Sequence, residues 1–298
     1  MKVAMQTKII SGLFGMFDSV KLIAESGFDC IDVTFSEPDL EEWLNSAAYD
    51  AKAKELKQYA QTLGVTFHQA HAPVPSDDKD GHCTKDYENF LRTIQLSSLL
   101  GIKNIVFHPM DYYRRLGSYE ESRKKLREIN LEFFTSLMPY CAEYNVNIAI
   151  ENTYWSTDHG IEKSYCSGAK DIIDLVDTIH SPHMVACLDL GHLALVGESH
   201  HNVIHALGKS RLKCLHVQDN EFVKDIHQLP GLGKVNYNEI LSALAEIDYD
   251  GALTLESYGF IKGFEKEFMP EALSFMAKRA KFLAETFEKL KNERKMQR

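Results

Sequence analysis

Residues 184–192 read MVACLDLGH, an apolar run that stops on Asp189 and is followed three residues later by His192. A run without polar alternation is typical of a strand that is buried on both faces, as in a parallel sheet covered by helices. In folds built from such strands, the polar residues at the carboxyl ends carry the function. The segment therefore predicts a buried strand that delivers ionisable side chains to one end of the sheet.

The same pattern, an apolar run that ends on His, Asp or Glu, recurs along the chain. It is found in FHQAH at 67–71, VFHP at 106–109, IAIEN at 148–152, CLHVQDN at 214–220 and LTLES at 253–257. With two further apolar runs near the amino terminus, the chain has eight predicted strands: Val3–Thr7, Cys30–Phe35, Val65–His71, Asn104–His108, Asn147–Glu151, Met184–Asp189, Leu212–Val217 and Ala252–Glu256.

Longer segments of helical period separate these strands. They include Tyr49–Leu63, Tyr87–Leu100, Tyr119–Tyr144, Ala169–Ile179, Tyr237–Ile247 and a last helix that begins near Glu267. The last helix carries one apolar stripe, which predicts packing on an outer surface of the sheet: Leu273, Met276, Ala280, Leu283, Phe287 and Leu290. Strands that alternate with helices are parallel, and eight such units close a barrel.

The predicted fold class is therefore α/β, with residues 1–298 forming a single (β/α)8 TIM barrel domain. No linker rich in proline, glycine or serine divides the chain. A doubly wound open sheet is the alternative. No G-x-G-x-x-G follows the first strand, so the sequence does not indicate the dinucleotide crevice of that fold.

Bulk composition limits the classes of function. Of 298 residues, 44% are hydrophobic and 26% are charged, which is ordinary for a globular protein, and the net charge is -10. An acidic chain lacks the lysine and arginine surplus with which proteins neutralise nucleic acid phosphates, which argues against a nucleic acid partner. The six cysteines form no C-x-x-C pair and no apolar run reaches the roughly 18 residues of a membrane span. We expect a cytoplasmic protein with no membrane partner.

The polar strand ends predict a metal site. Several carboxylates and histidines that converge at one barrel mouth would repel one another or remain unpaired without a cation. Two Glu, one Asp and one His on the last four strands form an ordinary ligand set for Mn²⁺, Zn²⁺, Co²⁺ or Mg²⁺: Glu151, Asp189, His216 and Glu256. Taken singly, each carboxylate has an equally good interpretation as a helix N-cap or a hydrogen-bonded residue of the barrel mouth.

Four motifs make the chain resemble the xylose isomerase-like barrels, which group sugar isomerases and epimerases with endonuclease IV-type enzymes. They are IEN at 150–152, CLDLGH at 187–192, LHVQDN at 215–220 followed by DIHQLPGLGKVNY at 225–237, and YDGALTLES at 249–257. The resemblance covers nearly the whole chain. It implies that Glu151, Asp189, His216 and Glu256 are the metal ligands, and that Glu151 and Glu256 also act as acid and base.

The resemblance gives a second set of residues two interpretations. In the epimerases, His192 resembles a histidine that contacts substrate. In the endonuclease-like branch, the positions of His71, His108, His192, Asp225 and His227 hold additional metal ions, up to three in all. Residues two apart in extended chain point the same way, so Asp225 and His227 could chelate one ion, or they could simply order the loop before Pro230.

We expect a metal-dependent isomerase or epimerase of a small sugar or sugar phosphate. Proton abstraction next to a ketose carbonyl would give an enediolate, with Glu151 and Glu256 moving the proton. The alternative is an endonuclease IV-like phosphodiester hydrolase that acts on abasic DNA. The epimerases place an arginine shortly after the histidine of the seventh strand. This chain has Phe222 in that neighbourhood and no arginine between Arg211 and Arg279, so the substrate stays open.

Two weaker expectations concern the loops. Gly231, Gly233 and Lys234, which follow the seventh strand, could receive a phosphate, or the glycines could be plain turn residues. The cluster at Tyr112, Tyr113, Arg114 and Arg115 favours a substrate lid or a subunit interface over a DNA contact. The sequence leaves the oligomeric state open, a homo-oligomer included.

Overall fold

A computed structural model of the chain describes residues 1–35, 48–75, 87–111 and 119–296. Its centre is a sheet of eight parallel strands that follow one another in sequence around a barrel. The strands are β1 (Val3–Gln6), β2 (Cys30–Thr34), β3 (Thr66–His71), β4 (Asn104–Phe107), β5 (Asn147–Glu151), β8 (Met184–Asp189), β9 (Leu212–His216) and β10 (Leu253–Leu255). The strands β6 and β7 form a separate hairpin outside the barrel sheet.

Hydrogen bonds close this sheet into a ring. β1 pairs with β10, and a parallel bridge from Val217 to Leu255 joins β9 to β10. The amide of Val217 donates to Thr254 O at 2.9 Å, and the amide of Glu256 donates to Val217 O at 3.1 Å. The predicted single (β/α)8 barrel is confirmed, and each predicted strand agrees with the observed one to within one residue at either end.

The helices surround the barrel. They are α1 (Ile10–Phe14), α2 (Met16–Glu25), α3 (Tyr49–Thr62), α4 (Tyr87–Leu100), α5 (Tyr119–Tyr144), α6 (Ala169–Ile179), α7 (Leu190–Leu195), α8 (His200–Arg211), α9 (Tyr237–Glu246), α10 (Tyr258–Ile261) and α11 (Met269–Met296), with a 3-10 turn at Lys266–Phe268. None of the helices within the described ranges is long and apolar enough to cross a membrane. The cluster at Tyr112–Arg115 lies outside the described residues.

Two elements at the barrel mouth were not predicted. The segment after β5 forms an antiparallel hairpin of β6 (Tyr154–Thr157) and β7 (Gly160–Lys163). The segment after β8 forms α7, whose N-cap is Asp189, because one carboxylate oxygen accepts the amide of His192 at 2.7 Å. Both follow strand ends that the sequence marked as polar, so these elements frame the candidate site.

The inner faces of the strands connect the core to the barrel mouth. Side chains two apart on a strand share a face. Cys187 therefore lies on the same face as Asp189, and Cys214 on the same face as His216. Cys187 and Cys214 belong to a small buried apolar cluster with Val106, Ala149 and Val185. The apolar cluster thus supports the ionisable residues from below.

Phe287 tests the predicted stripe of α11. Its ring is 1% exposed, whereas Phe282 on the same helix is 58% exposed. Removing a buried phenylalanine leaves a cavity, so we expect Phe287→Ala to lower the free energy of unfolding by about 3–5 kcal/mol. Phe282→Ala should change it by less than about 0.5 kcal/mol. Urea denaturation of both variants measures this, and equal losses would contradict the packing described.

Candidate metal centre

Four ionisable side chains meet at the carboxyl ends of the last barrel strands. Glu151 ends β5, Asp189 ends β8, His216 ends β9 and Glu256 follows β10. All four are buried, with Glu256 the most accessible at 3%. One ligand atom of each lies within 4.8 Å of the corresponding atom of every other. The structure therefore brings the predicted quartet together.

The imidazole of His216 lies between the carboxylates. Its Nδ1 is 2.8 Å from Oε1 of Glu151 and 3.1 Å from Oε2 of Glu256. Its Nε2 faces Asp32 at 3.5 Å. A carboxylate behind a histidine fixes the orientation of the ring and raises its basicity toward a metal ion. His216 thus has Nδ1 directed into the quartet and an acidic partner on its other side.

One oxygen of each carboxylate in the quartet makes no hydrogen bond of good geometry to the described residues, although His108 and His216 lie within ion-pair distance of two of these oxygens. These atoms are Oε2 of Glu151, Oδ2 of Asp189 and Oε2 of Glu256. The second oxygen of Asp189 caps α7, so the N-cap interpretation and the ligand interpretation hold for different atoms of one side chain. Buried carboxylate oxygens without good hydrogen bonds are costly unless a cation binds them. The donor set therefore fits a divalent metal ion.

The pKa values of the three carboxyl groups in the quartet shift in different directions. Burial raises the pKa of Asp189 to about 7, and the charges of Glu256 and Glu151 act in the same direction against the opposing charge of His192. Burial would also raise the pKa of Glu151 and Glu256, but neighbouring histidines, His216 above all, hold both well below their usual range. Three carboxylates thus compete for the positive charge of the histidines around them.

A second group forms beside Glu151. Nε2 of His108 lies 3.2 Å and Nε2 of His71 lies 3.5 Å from Oε2 of Glu151. The same two nitrogens are 3.2 Å apart. Burial lowers the pKa of His108, although Glu151 opposes this effect. A neutral imidazole can offer a lone pair, so these three residues form a second candidate ligand set that shares Glu151 with the quartet.

A third group contains the D-x-H motif. Oδ2 of Asp225 lies 2.9 Å from Nε2 of His227 and 3.2 Å from Nε2 of His192. Hydrogen bonds from both histidines keep the pKa of Asp225 below its usual range, in spite of burial. The other oxygen, Oδ1, accepts from Gln218 at 2.7 Å. The structure thus brings Asp225 and His227 to His192, as the multi-metal interpretation expects.

Backbone carbonyls orient three of the histidines. Nδ1 of His71 lies 2.7 Å from Ala72 O, Nδ1 of His192 lies 3.0 Å from Asn152 O, and Nδ1 of His227 lies 2.9 Å from Glu256 O. A carbonyl oxygen accepts only, so each Nδ1 carries a proton, and Nε2 donates to a facing carboxylate when the ring is charged and can bind a cation when the ring is neutral. Those Nε2 atoms are the ones that face Glu151 and Asp225.

The predicted phosphate loop is placed elsewhere. Gly231, Gly233 and Lys234 are not among the residues that line the mouth cavity. The amide of Gly231 donates to Oδ2 of Asp219 at 2.7 Å, and the amide of Lys234 donates to Asn220 O at 2.8 Å. A Cβ on Gly233 would lie 2.4 Å from Asn220 O. The glycines therefore act as turn residues that pack the loop against Asp219 and Asn220.

A cavity of about 440 Å³ opens above these groups, between the strand ends and the β6–β7 hairpin. Glu256, His71, His108, His192, Asp225 and His227 border it, whereas Glu151, Asp189 and His216 lie beneath. The volume is within the range of about 300–1,000 Å³ that is usual for small-molecule sites.

Several residues at the site were missed from the sequence. Asp32 is fully buried in β2, and its Oδ2 accepts from Gln69 at 3.0 Å as well as facing His216. A charged residue inside the run CIDVT was a visible signal for it. Tyr258, whose ring stacks on His227 with centroids 4.1 Å apart, and Lys8, whose Nζ lies 4.3 Å from the Tyr258 ring centroid, carried no comparable signal.

The chain is similar in sequence to known enzymes. The chain is 24% identical over 251 residues to D-psicose 3-epimerase of Ruminiclostridium cellulolyticum, covering 80% of this chain and 77% of that protein. It is 23% identical over 248 residues to inosose isomerase of Bacillus velezensis, covering 80% and 82%. These relatives are sugar isomerases and epimerases.

The fold is also shared with solved structures. The IOLI protein, solved with a bound zinc atom, superimposes with a TM-score of 0.72 at 19% identity, over 97% of this chain and 99% of that one. A family model described as xylose isomerase-like TIM barrel matches residues 20–279. This match spans most of the chain and includes every strand end from β2 to β10. The chain therefore belongs to the xylose isomerase-like TIM barrel family.

Proposed function

We propose that the protein is a divalent-metal-dependent isomerase or epimerase of a small sugar or sugar phosphate. The observation that carries this proposal is the buried quartet beneath a cavity of small-molecule size, with one carboxylate oxygen of Glu151, Asp189 and Glu256 making no hydrogen bond of good geometry to the described residues. The sugar isomerases and epimerases among its relatives support the same class of reaction.

Glu151, Asp189, His216 and Glu256 would hold the ion. Bound there, a divalent metal would polarise a ketose oxygen and so acidify the neighbouring C–H bond. Asp32 supports this assignment because it faces Nε2 of His216 at 3.5 Å and keeps Nδ1 turned toward the carboxylates. His192, which borders the cavity, is in position to contact a substrate hydroxyl.

Glu256 is the first candidate for direct proton transfer to and from the substrate. Isomerisation or epimerisation through an enediolate needs a carboxylate that reaches the substrate carbon and a group that returns the proton. Glu256 borders the cavity, whereas Glu151 is fully buried and directs Oε2 toward His71 and His108. We therefore assign direct proton transfer to Glu256, with Glu151 as the second acid/base group.

Lys8 is the candidate residue for binding the phosphate group of a phosphorylated sugar. It is the one lysine or arginine among the cavity-lining residues that the structure describes. Its Nζ is held by Tyr258, 3.3 Å from the hydroxyl, and it forms no ion pair with the carboxylates of the described ranges. Ile9, next to Lys8, has a φ of 70°, a conformation that is strained for a β-branched residue.

The two further groups favour more than one ion. His71 and His108 share Glu151 with the quartet, and His192, Asp225 and His227 form a set of their own. This arrangement is also the specific observation in favour of the second candidate, an endonuclease IV-like hydrolase of abasic DNA. The acidic balance of the chain and the sugar-converting relatives favour the first candidate.

Metal content tests the ligand sets. Asp189→Asn keeps an oxygen that can cap α7 but removes the charge, so we expect it to lose the ion of the quartet while the fold persists. His227→Ala should lower the number of retained ions without abolishing binding. Elemental analysis of the dialysed wild type and variants measures both. Full occupancy in Asp189→Asn would refute the quartet, and a single ion unaffected by His227→Ala would refute the multi-metal sets.

Solvent exchange tests the reaction. The wild type, incubated with a panel of ketoses and ketose phosphates in deuterated water, should isomerise or epimerise at least one of them and place deuterium on carbon. Glu256→Gln keeps an oxygen that can accept from Gln6 yet cannot take up a proton, so turnover should fall by at least about 100-fold. Metal-dependent incision of an abasic duplex, with no turnover of any sugar, would make the nuclease the correct function.

Substrate charge tests the role of Lys8. We expect Lys8→Met to raise KM for a ketose phosphate by at least about 10-fold, because removing the ammonium removes its attraction for the phosphate. The KM for the corresponding neutral ketose should stay within about 2-fold, and kcat should change little. Lys8→Arg, which keeps the charge, is the matched control. Equal effects on both substrates would show that Lys8 does not recognise phosphate.

A further inference from the structure

A separate group of metal-binding side chains lies on the outside of the barrel, between α8 and α9. His201 and His205 belong to α8, and Glu246 is the last residue of α9. Nε2 of His201 lies 3.3 Å and Nε2 of His205 lies 2.7 Å from the same atom, Oε2 of Glu246. The sequence alone does not mark these histidines, since only the fold brings Glu246 to them.

Helix geometry holds the two rings in place. His201 and His205 are four residues apart, which puts them one turn apart on the same face of α8. Their ring centroids are 4.4 Å apart with an interplanar angle of 34°. Ser199, the N-cap of α8, accepts the amide of Asn202 at 3.3 Å and secures the first turn. The pair is therefore presented by a capped helix and not by a loop.

The carboxylate of Glu246 is oriented as well. Its Oε1 accepts from Ser242 at 3.1 Å and from Arg294 at 2.9 Å, and Oε2 remains directed at the two histidines. Burial would raise the pKa of Glu246, but the hydrogen bonds from His205 and Ser242 and the charge of Arg294 bring it below the usual value. Glu246 is thus an anionic side chain. Its Oε1 is held by Ser242 of α9 and Arg294 of α11, which leaves Oε2 facing the histidines.

We propose that His201, His205 and Glu246 bind a divalent ion of zinc-like preference and so bridge α8 and α9. Two imidazole nitrogens and one carboxylate oxygen are a known zinc donor set, and the fourth position is left to water. Zinc ligands about 2.0–2.2 Å from the ion stand ~3.3 Å from one another in a tetrahedron. His201 already has this separation from Glu246, and His205 reaches it with a small side-chain rotation.

The site is independent of the barrel mouth. None of the three residues lines the mouth cavity. The side chains of His201, His205 and Glu246 are 46%, 39% and 18% exposed, so an ion can enter from solvent. Because the ligands come from successive helices that pack together, the bound ion would cross-link two units of the barrel wall.

Zinc stoichiometry tests the proposal. The wild type, His205→Ala and the control His159→Ala, which removes an exposed histidine of the β6–β7 hairpin, are dialysed to equilibrium against free Zn²⁺ at neutral pH and analysed for metal. We expect the wild type and His159→Ala to bind one more ion per chain than His205→Ala. All three proteins keep the candidate metal sites at the barrel mouth. The difference in zinc content between them therefore measures binding by His201, His205 and Glu246. An equal zinc content in all three overturns the proposal.

Ligand assignment needs a second measurement. In NMR spectra, added Zn²⁺ should shift the imidazole resonances of His201 and His205 together. Glu246→Gln keeps the size of the side chain and one oxygen, so we expect the zinc concentration needed for half the shift to rise by at least about 10-fold. Resonances of His201 and His205 that stay unchanged in saturating zinc would mean that the group is only a hydrogen-bonded surface cluster.

Discussion

Compensation of buried negative charge is the constraint on which the barrel mouth depends. Glu151, Asp189 and Glu256 lie within a few ångströms of one another, almost without contact with water, in surroundings where an isolated carboxylate is very costly. His216 sits between two of them and supplies one positive charge at most. Burial raises the pKa of Asp189 to about 7, whereas nearby histidines keep the pKa of Glu151 and Glu256 low, so Asp189 is the carboxylate whose charge is least well compensated.

The fold imposes this constraint through strand periodicity. Glu151, Asp189 and His216 each lie two positions beyond a small apolar residue of the same inward face, namely Ala149, Cys187 and Cys214, whereas Glu256 lies two positions beyond Thr254. The parallel strands bring these residues to one end of the barrel, where Asp189 is paired with His216 and Glu151 with Cys187. The packed interior below excludes water from the group, and the same packing prevents the side chains from moving apart.

The strands and the convergence of the quartet could be predicted because both depend on local pattern. Apolar runs that end on Glu151, Asp189 or His216 are visible in the sequence, and the parallel barrel determines that they meet. Contacts between distant segments could not be read in this way. Lys8 reaches Tyr258 across 250 positions of the chain, and Asp32 reaches His216 only after the barrel closes. The surroundings of Lys234 could not be predicted either, because a loop amide has several possible acceptors, and in the structure the amide of Lys234 donates to Asn220 O.

The orientation of the histidines by backbone carbonyls affects which residues of such a protein can be substituted during evolution. The groups that fix the tautomers of His71, His192 and His227 are the peptide oxygens of Ala72, Asn152 and Glu256. A substitution replaces a side chain and leaves the peptide oxygen where it was. Residues around the cavity can therefore vary while the histidines keep their orientation, so one inherited arrangement of histidines can persist as the rest of the cavity changes.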